Sequence, residues 1–173
     1  MAMTLTYSNE DDRAYGLAGM TISLAALDAI DRIVCISLDS DGPMIDFSHD
    51  YYFSISPVVS PKAVWDNLLR NYHITASMVV SNILARSLVR LGEEVPKNVM
   101  DAAYREIETE GMESCGLEED EVKMLYDKIL HQNRRIFLNP RLRPAIAELA
   151  HIISRRRRLS GVELREQLNY LQL

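Results

Sequence analysis

The sequence predicts a mainly α protein: a bundle of five to six helices around one long central helix, with a short β strand or hairpin near residues 44–56. Three observations carry this. The run from Ser60 to Leu91 keeps helical spacing along its whole length, apolar residues recur at steps of three and four in most of the remaining chain, and a two-residue period appears in one stretch only.

In chain order, residues 1–10 are expected to be a flexible tail, followed by a first helix from Asp11 to Leu38. In that helix Ile22, Ala26, Ile30, Ile33 and Val34 form a wide apolar arc, opposite Asp28, Arg32 and Cys35. Asp28 and Arg32, four apart, have the spacing of a helix-surface ion pair. Asp31, at the edge of the arc, is expected to bond to a neighbouring helix.

The segment DSDGP at 39–43 breaks the helix. Beyond it Ile45, Phe47, His49, Tyr51, Phe53 and Ile55 alternate with more polar residues, the period of a strand. It reads as one strand or as a hairpin turning at His49-Asp50. No partner strand is legible elsewhere, so it is expected to lie on the helices or to pair with another subunit through its open edge.

Ser60 and Pro61 mark the start of the central helix as a hydroxyl cap and a first-position proline. Trp65, Leu69, Tyr72, Ala76, Val79 and Ile83 form its seam, with Leu68 and Val80 beside them. Past Ile83 the seam would reach Arg86 and Arg90, while the apolar stripe drifts to Leu84, Leu88 and Leu91. The buried face is therefore expected to rotate there or meet a new neighbour, for which the acidic third helix is the candidate.

A third helix is predicted over about Pro96 to Met112, with Glu106, Glu108, Glu110 and Glu113 opposing the dipole at its far end. A fourth starts at the acidic run Glu118–Glu121 and stops at Asn139-Pro140. A fifth runs from about Leu142 or Pro144 to Arg158. Ser160 and Glu163 have the spacing of a capping box, which starts a sixth over about Gly161 to Leu171.

A length of 173 residues suits a single α-helical domain over 1–173, and 47% apolar with 25% charged residues is the composition of a globular chain. Cys35 and Cys115 form neither a disulfide framework nor a zinc pattern, which points to a reducing, cytoplasmic setting. The first charges, Glu10, Asp11, Asp12 and Arg13, are unlike the basic leader of a signal peptide. The uncharged run Ala14–Leu27 is fourteen residues, short of the ~20 that span a membrane, so no membrane association is expected.

The net charge of −6 conceals two opposed blocks. Residues 93–121 carry eleven acids against Lys97 and Arg105; residues 134–165 carry nine arginines against Glu148 and Glu163. Pairing between the blocks inside one fold is the expected use of this asymmetry.

Motifs that carry chemistry are scarce. Ser37–Gly42 matches the early positions and glycine of a calcium loop, but its twelfth position is Ser48 instead of a bidentate glutamate. Glu148 and His151 make one Glu-x-x-His, where a di-iron bundle needs two. GxSxG, P-loop and GxGxxG patterns are absent. RLSGVELREQL, residues 158–168, resembles the capped first helix of the helix-turn-helix in winged-helix regulators; without a legible recognition helix it implies no DNA reading.

No catalytic residue, cofactor or metal is therefore expected. The composition and charge pattern point to a protein–protein interaction or regulatory accessory subunit, with a protein partner or self-association. The alternative is nucleic-acid binding through Arg155, Arg156, Arg157 and Arg158, whose guanidinium groups suit phosphates. A further alternative is an enzyme or metal-binding bundle whose site is assembled only by packing.

Overall fold

A computed structural model describes residues 6–52 and 61–173. The helical class holds: the described residues form six helices of eleven residues or more and a small three-stranded antiparallel sheet. The expected Ser60 cap and the strand pattern from Phe53 onward lie outside the described residues.

Helix α1 (Glu10–Ala26) packs along α3 (Pro61–Leu84) on one side and α6 (Arg143–Arg156) on the other. Its contact with α3 is close because Gly19 has no side chain: a Cβ there would strike the Ser81 carbonyl oxygen and stand 2.6 Å from the Ala85 Cβ. Leu17, Leu24, Leu84, Phe137, Leu149 and Ile153 are fully buried in the one continuous core these helices enclose with their neighbours.

The first helix ends at Ala26, not at Leu38. Asp28 takes a φ of +53°, and a single 3-10 turn at Ile30–Arg32 leads into strand β1 (Ile33–Ser37). Three of the five residues from Ile33 to Ser37, namely Ile33, Val34 and Ile36, are β-branched, a density that favours a pleated backbone over a helix. The Asp28–Arg32 helix pair therefore does not form. Asp31 does bond to a helix, pairing with Arg165 at 3.2 Å, although it is 84% exposed.

Strand β2 (Ile45–Phe47) pairs antiparallel with β1, Ile36 opposite Ile45 and Ile33 opposite Phe47, across a bulge. Strand β3 (Arg158–Ser160) pairs with the other edge of β1, Leu159 opposite Ile36. The expected partnerless strand is thus paired within the chain. Its turn lies in the 38–44 loop, and the alternation gives way after Phe47 to the short helix α2 (His49–Tyr52). Both outer strands are three residues long, poor templates for pairing with another copy.

Helix α3 continues as a π-helical segment from Ala85 to Leu91 and ends at Gly92, φ +71°. Here the buried face rotates as expected, but the neighbour is α1 instead of the acidic third helix. Over Lys62–Leu91 this helix is long and apolar enough to cross a membrane, and 61% of its most apolar window is buried inside the fold.

Helix α4 (Lys97–Cys115) begins one residue after Pro96 and ends at Gly116, φ +61°. Helix α5 (Glu119–Phe137) is capped by Glu118, whose own N–H donates to Glu121 at 2.9 Å. Helix α7 (Gly161–Leu171) has the predicted capping box: Ser160 Oγ accepts from the Glu163 N–H, and the Glu163 carboxylate accepts from the Ser160 N–H at 2.8 Å. Gly161 lies so close to β1 that a Cβ would overlap the Ile33 carbonyl oxygen, which fixes α7 against the sheet.

Candidate functional site

The seam of α3 was expected to be buried from Trp65 to Ile83. Its cover begins at Leu69, which is partly buried against the core, and is complete from Tyr72 onward. Tyr72, Ala76, Val79 and Ile83 are buried, whereas Val64, Trp65 and Leu68 are 55%, 42% and 38% exposed. Trp65, Leu68 and Tyr72 follow helical spacing, so the exposed residues extend the same stripe past the buried part of the helix.

At the point where the stripe becomes buried it opens into a groove of about 800 Å³. Leu68, Thr75, Met78 and Val79 of α3 form its floor. The hairpin contributes Met44, Ile45 and Phe47, with Tyr51 stacked on Phe47 at 4.2 Å between ring centroids. Met20 of α1 and Glu110, Ser114 and Cys115 of α4 also line it. Three methionines give the lining an adaptable apolar character, because an unbranched thioether repacks at low cost.

Most polar groups of the lining are already engaged within the protein. Asn71 donates to the Tyr51 carbonyl at 3.2 Å, Tyr72 Oη to the Ile107 carbonyl at 2.7 Å, and Thr75 Oγ1 to the Asn71 carbonyl at 2.9 Å. Arg13 donates to the Ser40 carbonyl at 2.5 Å, and the Tyr7 hydroxyl accepts from Asn82 at 3.0 Å. Burial, then the charges of Cys115 and Glu110, push the Tyr72 phenol well above its ordinary range. Burial and then Glu110 raise the Cys115 thiol as well, which makes it a poor nucleophile.

Behind the groove lies a charge knot that sequence reasoning missed. Asp12, 3% exposed, accepts from Arg86 at 2.8 and 2.7 Å, from Arg90 at 3.2 Å, and from the Ser8 N–H at 2.9 Å. Arg90 also reaches Asp11 at 2.8 Å, and Arg86 reaches the Thr6 carbonyl while standing over the Tyr7 ring at 4.7 Å. Residues 6–9, expected to belong to a flexible tail, are thereby fixed. Burial raises the Asp12 carboxyl, but the bonds from Arg86 and Ser8 outweigh it and hold the group at about 2. With every charge matched, the knot reads as structural.

The arginine cluster is paired internally, though not with the acidic block. Arg155 meets Glu148 at 3.5 Å, Arg156 meets Glu163 at 3.0 Å, and Arg157 pairs with Asp39 and Glu10. Arg158 donates to Cys35 Sγ at 3.5 Å. Among the described residues, Arg134 with Glu94 at 3.0 Å is the one ion pair joining the two blocks.

The calcium-like loop holds an ion pair and a local turn. Asp39 binds Arg157, and the local turn bond comes from Gly42 N–H to Ser40 Oγ at 3.2 Å. No group of three or more His, Cys, Asp or Glu among the described residues is placed to hold a metal. Glu148 and His151 stand 3.9 Å apart on an exposed face.

No protein-family model matches the chain, and no curated protein matches it either.

Proposed function

We propose that the protein is an interaction module, a cytoplasmic accessory or regulatory subunit without catalysis of its own, which holds an apolar segment of a protein partner in the α3 groove. The observation that carries this reading is the seam of α3. An amphipathic stripe that is buried from Tyr72 onward continues uncovered through Leu68 and Trp65, and exposed contiguous apolar surface of this kind marks association sites.

A small-molecule site fits less well. Specificity for a small ligand comes from free polar groups inside an apolar pocket, and here most of them are bonded to the protein itself. The lining offers mainly apolar area, which suits a helix laid along the groove. Nucleic-acid binding is also the weaker reading. Glu148, Glu163, Asp39 and Glu10 stand against the four arginines of 155–158 and cancel the local charge that would release counterions.

The test uses a fluorescein-labelled helical peptide with a leucine stripe and glutamine elsewhere, followed by anisotropy. The wild-type protein is expected to bind it saturably. Trp65→Ser with Leu68→Ser should weaken binding by about tenfold or more while leaving the unfolding midpoint unchanged. No saturable binding, or binding indifferent to this double change, overturns the proposal.

A further inference from the structure

Over its first turns α3 stands clear of the fold. Lys62, Ala63, Val64, Trp65 and Asp66 are all exposed, and at 3.6 residues per turn five consecutive residues cover the whole circumference of a helix. A helix end with no buried face gains little stability by itself, since packing of an amphipathic face is what holds most helices. Its apolar side, on which Val64, Trp65 and Leu68 form a ridge, therefore calls for cover.

Ridge and groove belong to one stripe. Trp65, Leu68, Tyr72, Thr75 and Val79 follow one another at steps of three and four, the spacing of a coiled-coil seam, and all but Trp65 line the groove. A protruding ridge and a receiving groove thus lie in succession along a single helix. An isologous contact about a two-fold axis needs this arrangement, because residue i of one copy meets j of the other while j meets i.

Size points to the same occupant. The three ridge residues expose on the order of 250 Å² together, short of the roughly 800 Å² that each partner buries in a stable interface. Seating each ridge in the other copy's groove enlists both surfaces of both chains and about doubles the apolar area covered. The groove, at about 800 Å³, is of the size that takes a drug-sized molecule, and the three ridge side chains amount to one. The area stays near the small end of specific interfaces, so the contact is weak and reversible.

We infer, on the basis of the docking reading above, that the occupant of the groove is a second copy of this chain. Two copies pair about a two-fold axis with their α3 helices antiparallel, and Val64, Trp65 and Leu68 of each sit in the groove of the other. At micromolar protein and below the monomer prevails, which leaves the groove open to a peptide. Each copy carries a net charge of −6, so mutual repulsion opposes the pairing and added salt relieves it.

Sedimentation equilibrium of the full chain, from micromolar to millimolar protein, tests the pairing. The weight-average mass is expected to rise from 19.7 kDa toward twice that value, with half-association on the order of 100 µM and at lower protein concentration when salt is high. Trp65→Ser with Leu68→Ser should raise the dissociation constant about tenfold or more. Val34→Ser with Val162→Ser, which removes exposed apolar side chains from β1 and α7, should leave it unchanged. Excess unlabelled leucine-glutamine peptide should compete for the groove and return the wild type to one chain per particle. A mass of 19.7 kDa throughout, with the peptide still bound through Trp65 and Leu68, overturns the inference, leaves the docking reading intact and assigns the groove to a different protein. A dimer that persists in excess peptide, or that responds equally to both double variants, overturns it too, because the copies then meet through another face. A monomer that binds no peptide removes the docking reading itself, and the pairing with it.

Discussion

Asp12 and Arg86 meet in a two-bond fork, Arg86 Nε to Asp12 Oδ1 at 2.8 Å and Nη2 to Oδ2 at 2.7 Å, which ties the first turn of α1 to the π-helical end of α3. The π segment places Arg86 and Arg90 on the same carboxylate, and π geometry inside an α-helix is rare and often marks a position under special constraint.

Removing Arg86 leaves the Asp12 charge in a nearly buried site. Arg86→Ala is expected to cost about 3 kcal/mol, the low end for breaking a buried pair, because Arg90 still supplies one bond. The pH dependence follows from the lowered carboxyl. Stability from the fork is complete above the ordinary value of 3.8 and is lost as pH falls toward about 2. Urea unfolding of wild type and Arg86→Ala at several pH values should show a gap that is widest above about pH 4 and narrows toward pH 2. A gap constant over that range contradicts the assignment.

His73 gives a second, separable pH effect. Its Nε2 is buried with no hydrogen-bond partner among the described residues, and burial followed by the charge of Lys128 lowers its pKa from the ordinary 6.5. The unfolded chain therefore takes up this proton first, and stability should decline as pH falls below 6.5. His73→Leu should flatten the stability curve between about pH 7 and 5. An unchanged slope would place the pH sensitivity elsewhere.

The two ends of the α3 seam should respond oppositely to truncation. Ile83, 3% exposed, is a core residue, and Ile83→Ala should cost about 2–5 kcal/mol. Trp65→Ala, at 42% exposure, should cost less than about 1 kcal/mol despite the larger side chain removed. Denaturant midpoints read both. Comparable losses would mean that Trp65 belongs to the core.

Helix periodicity, the Ser160–Glu163 box and the acidic start at Glu118 made α4 to α7 legible in the sequence, because local capping and amphipathic spacing decide those elements. The Ile33–Ser37 strand was not legible as such. Its apolar residues fit a helical arc, and its two pairings, to Ile45–Phe47 and to Arg158–Ser160, are contacts far apart in the chain. The same reason hid the Asp12–Arg86 fork, whose partners are 74 residues apart. The groove was half visible: the Trp65 seam was read correctly as one stripe, but which part of a stripe is covered depends on what packs beside it.

Trp65 is the one tryptophan of the chain, so its emission reports on the proposed docking surface without a label. In the free protein, acrylamide should quench it readily, as its 42% exposure requires. The most direct test is to titrate the unlabelled leucine-glutamine peptide, which contains no aromatic residue, while following that emission. The account predicts a blue shift and protection from acrylamide that saturate with peptide binding. Emission and quenching that stay unchanged while the labelled peptide reaches saturation would contradict it.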